Sequence, residues 1–227
     1  MKKVFLKMFV PLVLLFFAAG VSAQDTTELV KIEHTYYTSY FSPSEHIPIF
    51  VNYTLTGSML SCTTKIKRNS KFTKDPTHPD ITNLNADYTR SGYDRGHNMS
   101  AQDNSCNQEG MDECFYFSNM TPQPHFFNAG VWETLEKQER TEAAQYGTVI
   151  ITVGSLGKVE TIGKDSVVVP KYMWKVIYIP STKKYQCYLF PDSDDAKAPL
   201  SQYVTTLDEI QEHAGITFNA GKFVFAD

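Results

Sequence analysis

Alternating apolar and polar positions mark the first clear element. Between Ile47 and Leu55, the residues Ile49, Val51, Tyr53 and Leu55 fall on one face and Phe50, Asn52 and Thr54 on the other, the period of a strand. The same reading places strands at Thr148 to Val153, Tyr172 to Ile179 and Tyr185 to Phe190, the last two joined by a hairpin at Pro180 to Lys184. A short aromatic strand is expected at Phe115-Tyr116-Phe117, after which Pro122 and Pro124 stop regular structure. One long helix is predicted from about Asn128 to Tyr146, closed by Gly147, and a shorter one from Thr206 to Ala214, closed by Gly215. Several strands with one principal helix carrying polar residues give an α+β fold with an antiparallel or mixed central sheet.

No linker, repeat or low-complexity segment divides the chain, so a single domain is expected. Its first residues read as an export signal: Lys2, Lys3 and Lys7, the apolar run Met8 to Gly20, then Val21-Ser22-Ala23. As a helix that run spans only about 20 Å, short of a bilayer core of roughly 30 Å. The expected division is a signal peptide over 1–23 and one domain over 24–227. The expected location is exported, periplasmic or secreted, as a bacterial product free of a membrane anchor.

Charge argues mildly against a nucleic-acid partner, since 21 basic residues face 25 acidic ones for a net −4. A metal ion and local cations would have to offset the repulsion. The one markedly basic stretch holds Lys65, Lys67, Arg68, Lys71 and Lys74, either a solvated strand edge or a phosphate-contacting rim. Four cysteines permit disulfides. Cys106 with Cys114 across a polar loop is the favoured pair and Cys62 with Cys187 the second, the alternative for the latter two being buried thiols.

The densest chemistry lies in Ser91-Gly92-Tyr93-Asp94-Arg95-Gly96-His97-Asn98. An imidazole can take a proton near neutral pH, so His97 is a candidate general base, and Arg95 can clamp two phosphate oxygens. Asn128, Glu136 and Arg140 stand eight and then four residues apart, within one arc of the predicted helix. Asn128 offers a hard neutral oxygen to a magnesium ion, Glu136 could hold the ion's waters, and Arg140 could oppose charge at phosphorus. The bland alternative is a wet helix face with a Glu136 to Arg140 ion pair. Trp132 shares that side, for core packing or base stacking, while Glu133 and Glu139 are expected to face solvent. His125 remains a second histidine of interest through its nearness to Asn128.

These pieces resemble the DNA/RNA non-specific endonuclease family, the sugar-non-specific nucleases with a ββα-metal site. The matching segments are Asp94-Arg95-Gly96-His97, Ser118-Asn119-Met120-Thr121-Pro122-Gln123, and Asn128-Ala129-Gly130-Val131-Trp132 through Leu135-Glu136 to Arg140. The resemblance implies metal-dependent cleavage of DNA and RNA to 5'-phosphate ends, with Mg2+ as the ion and Mn2+ a possible substitute. It makes His97 the base, Asn128 the metal ligand, Glu136 a holder of the metal's water, and Arg95 and Arg140 phosphate and transition-state contacts. Arg68, Asn119 and Trp132 are the expected substrate contacts. Where the family continues after the histidine with an apolar residue and a proline, this chain has Asn98-Met99-Ser100. The other readings are an exported nucleic-acid-binding module without turnover and a phosphodiesterase of small nucleotides.

Overall fold

The computed structural model describes residues 28–225, so the leader reading of residues 1–23 lies outside the described residues. Strands β1 (Val30–Glu33), β2 (Thr38–Ser42) and β3 (Ile47–Thr56) form an antiparallel meander. β4 (Asp94–His97) and β5 (Met120–Gln123) pair with each other as a separate two-stranded ribbon. β6 (Thr148–Ile162), β7 (Val167–Ile179) and β8 (Lys184–Pro191) extend the first three strands into one antiparallel sheet of order β1-β2-β3-β6-β7-β8. A last hairpin, β9 (Ile216–Asn219) with β10 (Lys222–Phe225), closes the described chain.

Both faces of the sheet are covered, which is why β6 and β7 read as long apolar runs rather than as clean alternation. On one face, Val51, Tyr53, Val149, Ile151, Met173 and Ile177 pack against Trp132, Leu135 and Ala143. On the other, Ile49, Trp174, Val176 and Leu189 meet Ile210, Ala214 and Ile216 from the C-terminal region. Gly154 is a point of close approach: a Cβ there would fall 2.2 Å from the Trp174 ring. The α+β reading with an antiparallel sheet holds.

The three longest α-helices among the described residues are α1 (Gln108–Glu113), α2 (Glu133–Tyr146) and α3 (Leu207–Ala214). α3 starts on Thr206, whose hydroxyl accepts from the Glu209 amide, and ends on left-handed Gly215, as its cap residues predict. The long helix differs from expectation. A turn at His125–Phe127 and a wide π-helical turn at Asn128–Trp132 precede α2, and Gly130 leaves helical geometry at φ −111°, ψ −107°.

The aromatic strand at 115–117 is not formed. Tyr116 makes only an isolated bridge to Thr73, Phe117–Asn119 is a 3-10 turn, and the strand begins at Met120. Pro122, read as a breaker, sits inside β5, tolerated because a ribbon strand paired on one side needs fewer amide donors.

The expected disulfides are also corrected: Cys62 pairs with Cys106, at a Cα separation of 5.7 Å, while Cys114 and Cys187 are buried free thiols. Helix α1 fills the supposed loop between Cys106 and Cys114, and the Cys114 thiol turns inward to donate to the Met111 carbonyl at 3.2 Å. Cys187 lies in the core on the opposite face of the sheet. Burial pushes its thiol up to about 12.

Just past β8, Asp192 is buried with neither carboxylate oxygen paired. Desolvation, helped by the charge of Asp194, pushes its carboxyl up to about 8. A raised folded value means stability is fully present below the unfolded value and is lost as pH climbs through about 8. Asp192→Asn keeps the shape and removes the ionisation. Urea unfolding at pH 4 and pH 9 should show the variant gaining a few kcal/mol over wild type only at the higher pH. An equal effect at both would show that the carboxyl does not titrate in the fold.

Candidate active site

The ribbon β4–β5 and the helical segment from His125 to Tyr146 form a ββα unit packed on one face of the sheet. Four contacts join ribbon and helix in an even ladder. The Asn128 amide nitrogen donates to Asp94 Oδ2 at 3.0 Å, and Trp132 Nε1 donates to the His97 carbonyl at 3.2 Å. Ser100 Oγ donates to Glu136 Oε2 at 2.8 Å, and Arg140 meets Asp103 Oδ1 at 2.9 Å. Steps of four along the helix thus match steps of three along the chain that leaves β4.

His97 ends β4, buried under Phe115 and Phe72, with ring centroids at 4.8 and 5.6 Å. Its Nε2 has no partner within the protein. Burial, and then the nearby charge of Arg68, lowers the imidazole to about 3, so it stays neutral at physiological pH. Strand alternation puts Arg95 on the same side as His97, and Phe72 touches both. The Arg95 guanidinium is held by Asn85 Oδ1, the Asn85 carbonyl and Thr89 Oγ1 at 3.0–3.1 Å, over the rings of Phe72 and Tyr88. Arg68 lies over Phe115, 5.2 Å from the ring centre. The basic segment therefore crosses beside His97 as an irregular strap, tied down by Cys62–Cys106, by Ile66 N to Ser105 O and by the Thr73 bridge. Gly96 makes room for Gln123, since a Cβ there would come 2.2 Å from the Gln123 side chain.

Asp94, the acid of the motif, fixes Asn128. With its nitrogen committed to Asp94, the Asn128 amide keeps its oxygen free to accept or to ligate. Among the described residues no group of three or more His, Cys, Asp and Glu could hold a metal. A neutral amide oxygen suits a strongly hydrated magnesium ion, and the residues fit such a group.

Glu136 and Arg140 converge on Ser100. Asp103 completes the cluster; burial, then repulsion from Glu136, raises its carboxyl to about 6 despite Arg140. No periodic pattern in the sequence singles out Ser100 and Asp103, because they lie in an aperiodic 3-10 stretch, Ala101–Asn104, with its cap.

Three expectations are corrected. Asn119 is wholly buried: its amide donates to the Met99 and Cys114 carbonyls and accepts from Met99 N, so it clamps the loop and does not face substrate. Trp132 is likewise buried, packing against Phe127 and Phe190 while holding His97. Glu139, expected at the surface, is fully buried in an ion pair with Lys175, itself fully buried, at 2.9 Å. Lys175 Nζ in turn sits 4.2 Å from the centre of the Trp132 ring.

The family model for DNA/RNA non-specific endonucleases matches residues 16–225. Human Endonuclease G, mitochondrial, is 30% identical over 169 residues, covering 67% of this chain and 57% of that protein, so the match spans little more than half of its length. Nuclease C1 of Cunninghamella echinulata var. echinulata is 30% identical over 205 residues, covering 82% of this chain and 81% of its own. A crystal structure of an EndoG/EndoGI complex, bearing on EndoG inhibition, superposes with a TM-score of 0.75 at 30% identity, covering 83% and 84% of the two chains. Several further relatives are named as mitochondrial nucleases. Those names point to mitochondria and overturn the exported, periplasmic or secreted location expected from the leader.

Proposed function

Because this chain belongs to the DNA/RNA non-specific endonuclease family, we propose that it hydrolyses DNA and RNA phosphodiesters to 5'-phosphate products, with His97 as base and Mg2+ held on Asn128. The observation that carries the reading is the unpartnered Nε2 of a buried, neutral His97 beside Arg68 and Arg95. A neutral imidazole nitrogen without a protein partner is ready to accept a proton from water.

In this reading His97 Nε2 takes the proton as the water oxygen bonds to phosphorus, and the bond to the 3'-oxygen breaks. Phosphate stays on the 5' side and the departing oxygen acquires a proton from solvent. Arg95 and Arg68 hold the phosphate, Arg95 needing little reordering because three hydrogen bonds already fix it. Glu136 is held by Ser100, and Arg140, paired with Asp103, keeps positive charge at that end of the site. An ion held by Asn128 would, when bound, supply Lewis-acid neutralisation of the negative charge that develops at the phosphate. Contacts of this kind read phosphate rather than bases, so cleavage should be sequence-independent and weakened by salt.

Plasmid DNA and RNA incubated with the protein should be degraded with Mg2+, spared in EDTA and degraded again when Mg2+ is restored. Cleavage that persists in EDTA would remove the metal from the mechanism, and 3'-phosphate products would place the broken bond on the other side.

A further inference from the structure

On the surface next to Asn128, a line of exposed side chains plays no part in the chemistry above. Asp94 Oδ2, which holds Asn128, also bonds His125 Nδ1 at 2.9 Å. The His125 ring packs edge-on against Phe126, with centroids 5.5 Å apart, and Lys197 Nζ stands 5.5 Å from the Phe126 ring centre. Phe126 is 61% exposed although its backbone is anchored, its amide donating to Asp194 Oδ1 at 2.7 Å. Beside it a groove of about 490 Å³ runs between the start of the catalytic helix and the segment at 196–200, with Lys137 and Lys197 among its walls.

One exposed phenylalanine is ordinary on a protein surface. What sets Phe126 apart is its setting: a ring on a fixed turn, flanked by an imidazole and an ammonium, and linked through Asp94 to the proposed metal ligand. An aromatic face with a cation one phosphate's reach away is the chemistry that binds a single-stranded nucleotide, base on ring and phosphate on cation. The strap with Arg68 lies beside His97, whereas this line leaves the site from Asn128, so a strand crossing the site would meet both.

We propose that His125, Phe126 and Lys197 form a nucleotide subsite beside the scissile phosphate, in which a nucleobase stacks on Phe126 and its phosphate meets Lys197. The assignment rests on the nucleic-acid substrate proposed above. It predicts a preference for single-stranded or locally unpaired substrate, because a base must leave its own stack to reach the ring.

The test uses a dT12 oligonucleotide and the same backbone made entirely of abasic residues, with dissociation constants measured in a His97→Ala background. Adding Phe126→Ala should weaken dT12 binding about 5- to 150-fold, the range for loss of one base–aromatic stack, and leave the abasic strand unchanged. Phe126→Trp should retain dT12 binding, whereas Lys197→Gln should weaken both strands. Unchanged dT12 binding in Phe126→Ala would overturn the subsite and leave the groove to a protein partner. Equal weakening of both strands would overturn base stacking. If neither oligonucleotide binds even with Phe126 and Lys197 intact, the nucleic-acid reading itself fails and the subsite fails with it.

Discussion

His97→Ala is expected to slow DNA and RNA cleavage by about 10²- to 10⁴-fold, the usual contribution of a positioned acid–base group. The loss should fall on kcat, because Arg68 and Arg95, which bind phosphate in the proposed mechanism, are untouched. Added imidazole should restore part of the rate, a rescue that repacking around Phe72 and Phe115 could not produce. The pH profile offers a second reading. Burial and Arg68 hold the imidazole at about 3, below its ordinary value near 6.5. The base is then already unprotonated at pH 5, and wild-type kcat/KM should not fall between pH 7 and pH 5 through this residue. A variant that folds and cleaves at the wild-type rate would dismiss His97 as the base.

Lys175→Met should cost about 3–5 kcal/mol of stability, the penalty for leaving a buried partner charge without its counter-ion. Lys175 and Glu139 are both fully buried and 2.9 Å apart. Burial already pushes the Glu139 carboxyl up to about 7, against the pull of Lys175. Without the lysine that value rises further. A raised folded value keeps stability at low pH and loses it as pH climbs, so the deficit in urea unfolding should be larger at pH 8 than at pH 5. The double variant Lys175→Met with Glu139→Leu should recover most of the loss, since buried pairs replaced by apolar groups are often neutral in effect. Failure of the double variant to recover would mean that Lys175 works chiefly through the Trp132 ring above it.

Periodicity carried much of the architecture. The alternation in β3 from Val51 to Leu55, the apolar runs of β6 to β8 and the capped α3 are decided by local burial and capping, and each was legible, whereas Ile49, expected on the Val51 face, packs on the opposite one where the register with β2 shifts. The short strands β1 and β2 were not, because four or five residues carry too few periods. Residues of the site divided in the same way. Arg95, His97, Asn128 and Glu136 stand in dense, spaced patterns, whereas Ser100 and Asp103 gain meaning only when the chain after β4 folds against α2. Lys175 does carry a signal in the sequence. It occupies the inward phase between Met173 and Ile177, where a strand facing a helix calls for an apolar residue. Burial of Glu139 is the complement of that misfit, and helix spacing alone could not reveal it.

The ladder linking Asp94, His97, Ser100 and Asp103 to Asn128, Trp132, Glu136 and Arg140 works as a vernier, two scales of different pitch locked at four marks. Slippage at one mark is resisted by the other three, so His97 and Asn128 keep their separation without needing to touch. The arrangement also sets where the chain can change length. An extra residue between Asn128 and Arg140 would rotate every later mark by about 100° off its partner, whereas one added beyond Gly147 would leave all four aligned. Length variation in active descendants of this sequence should therefore gather outside the two scales and avoid the interval between their first and last marks.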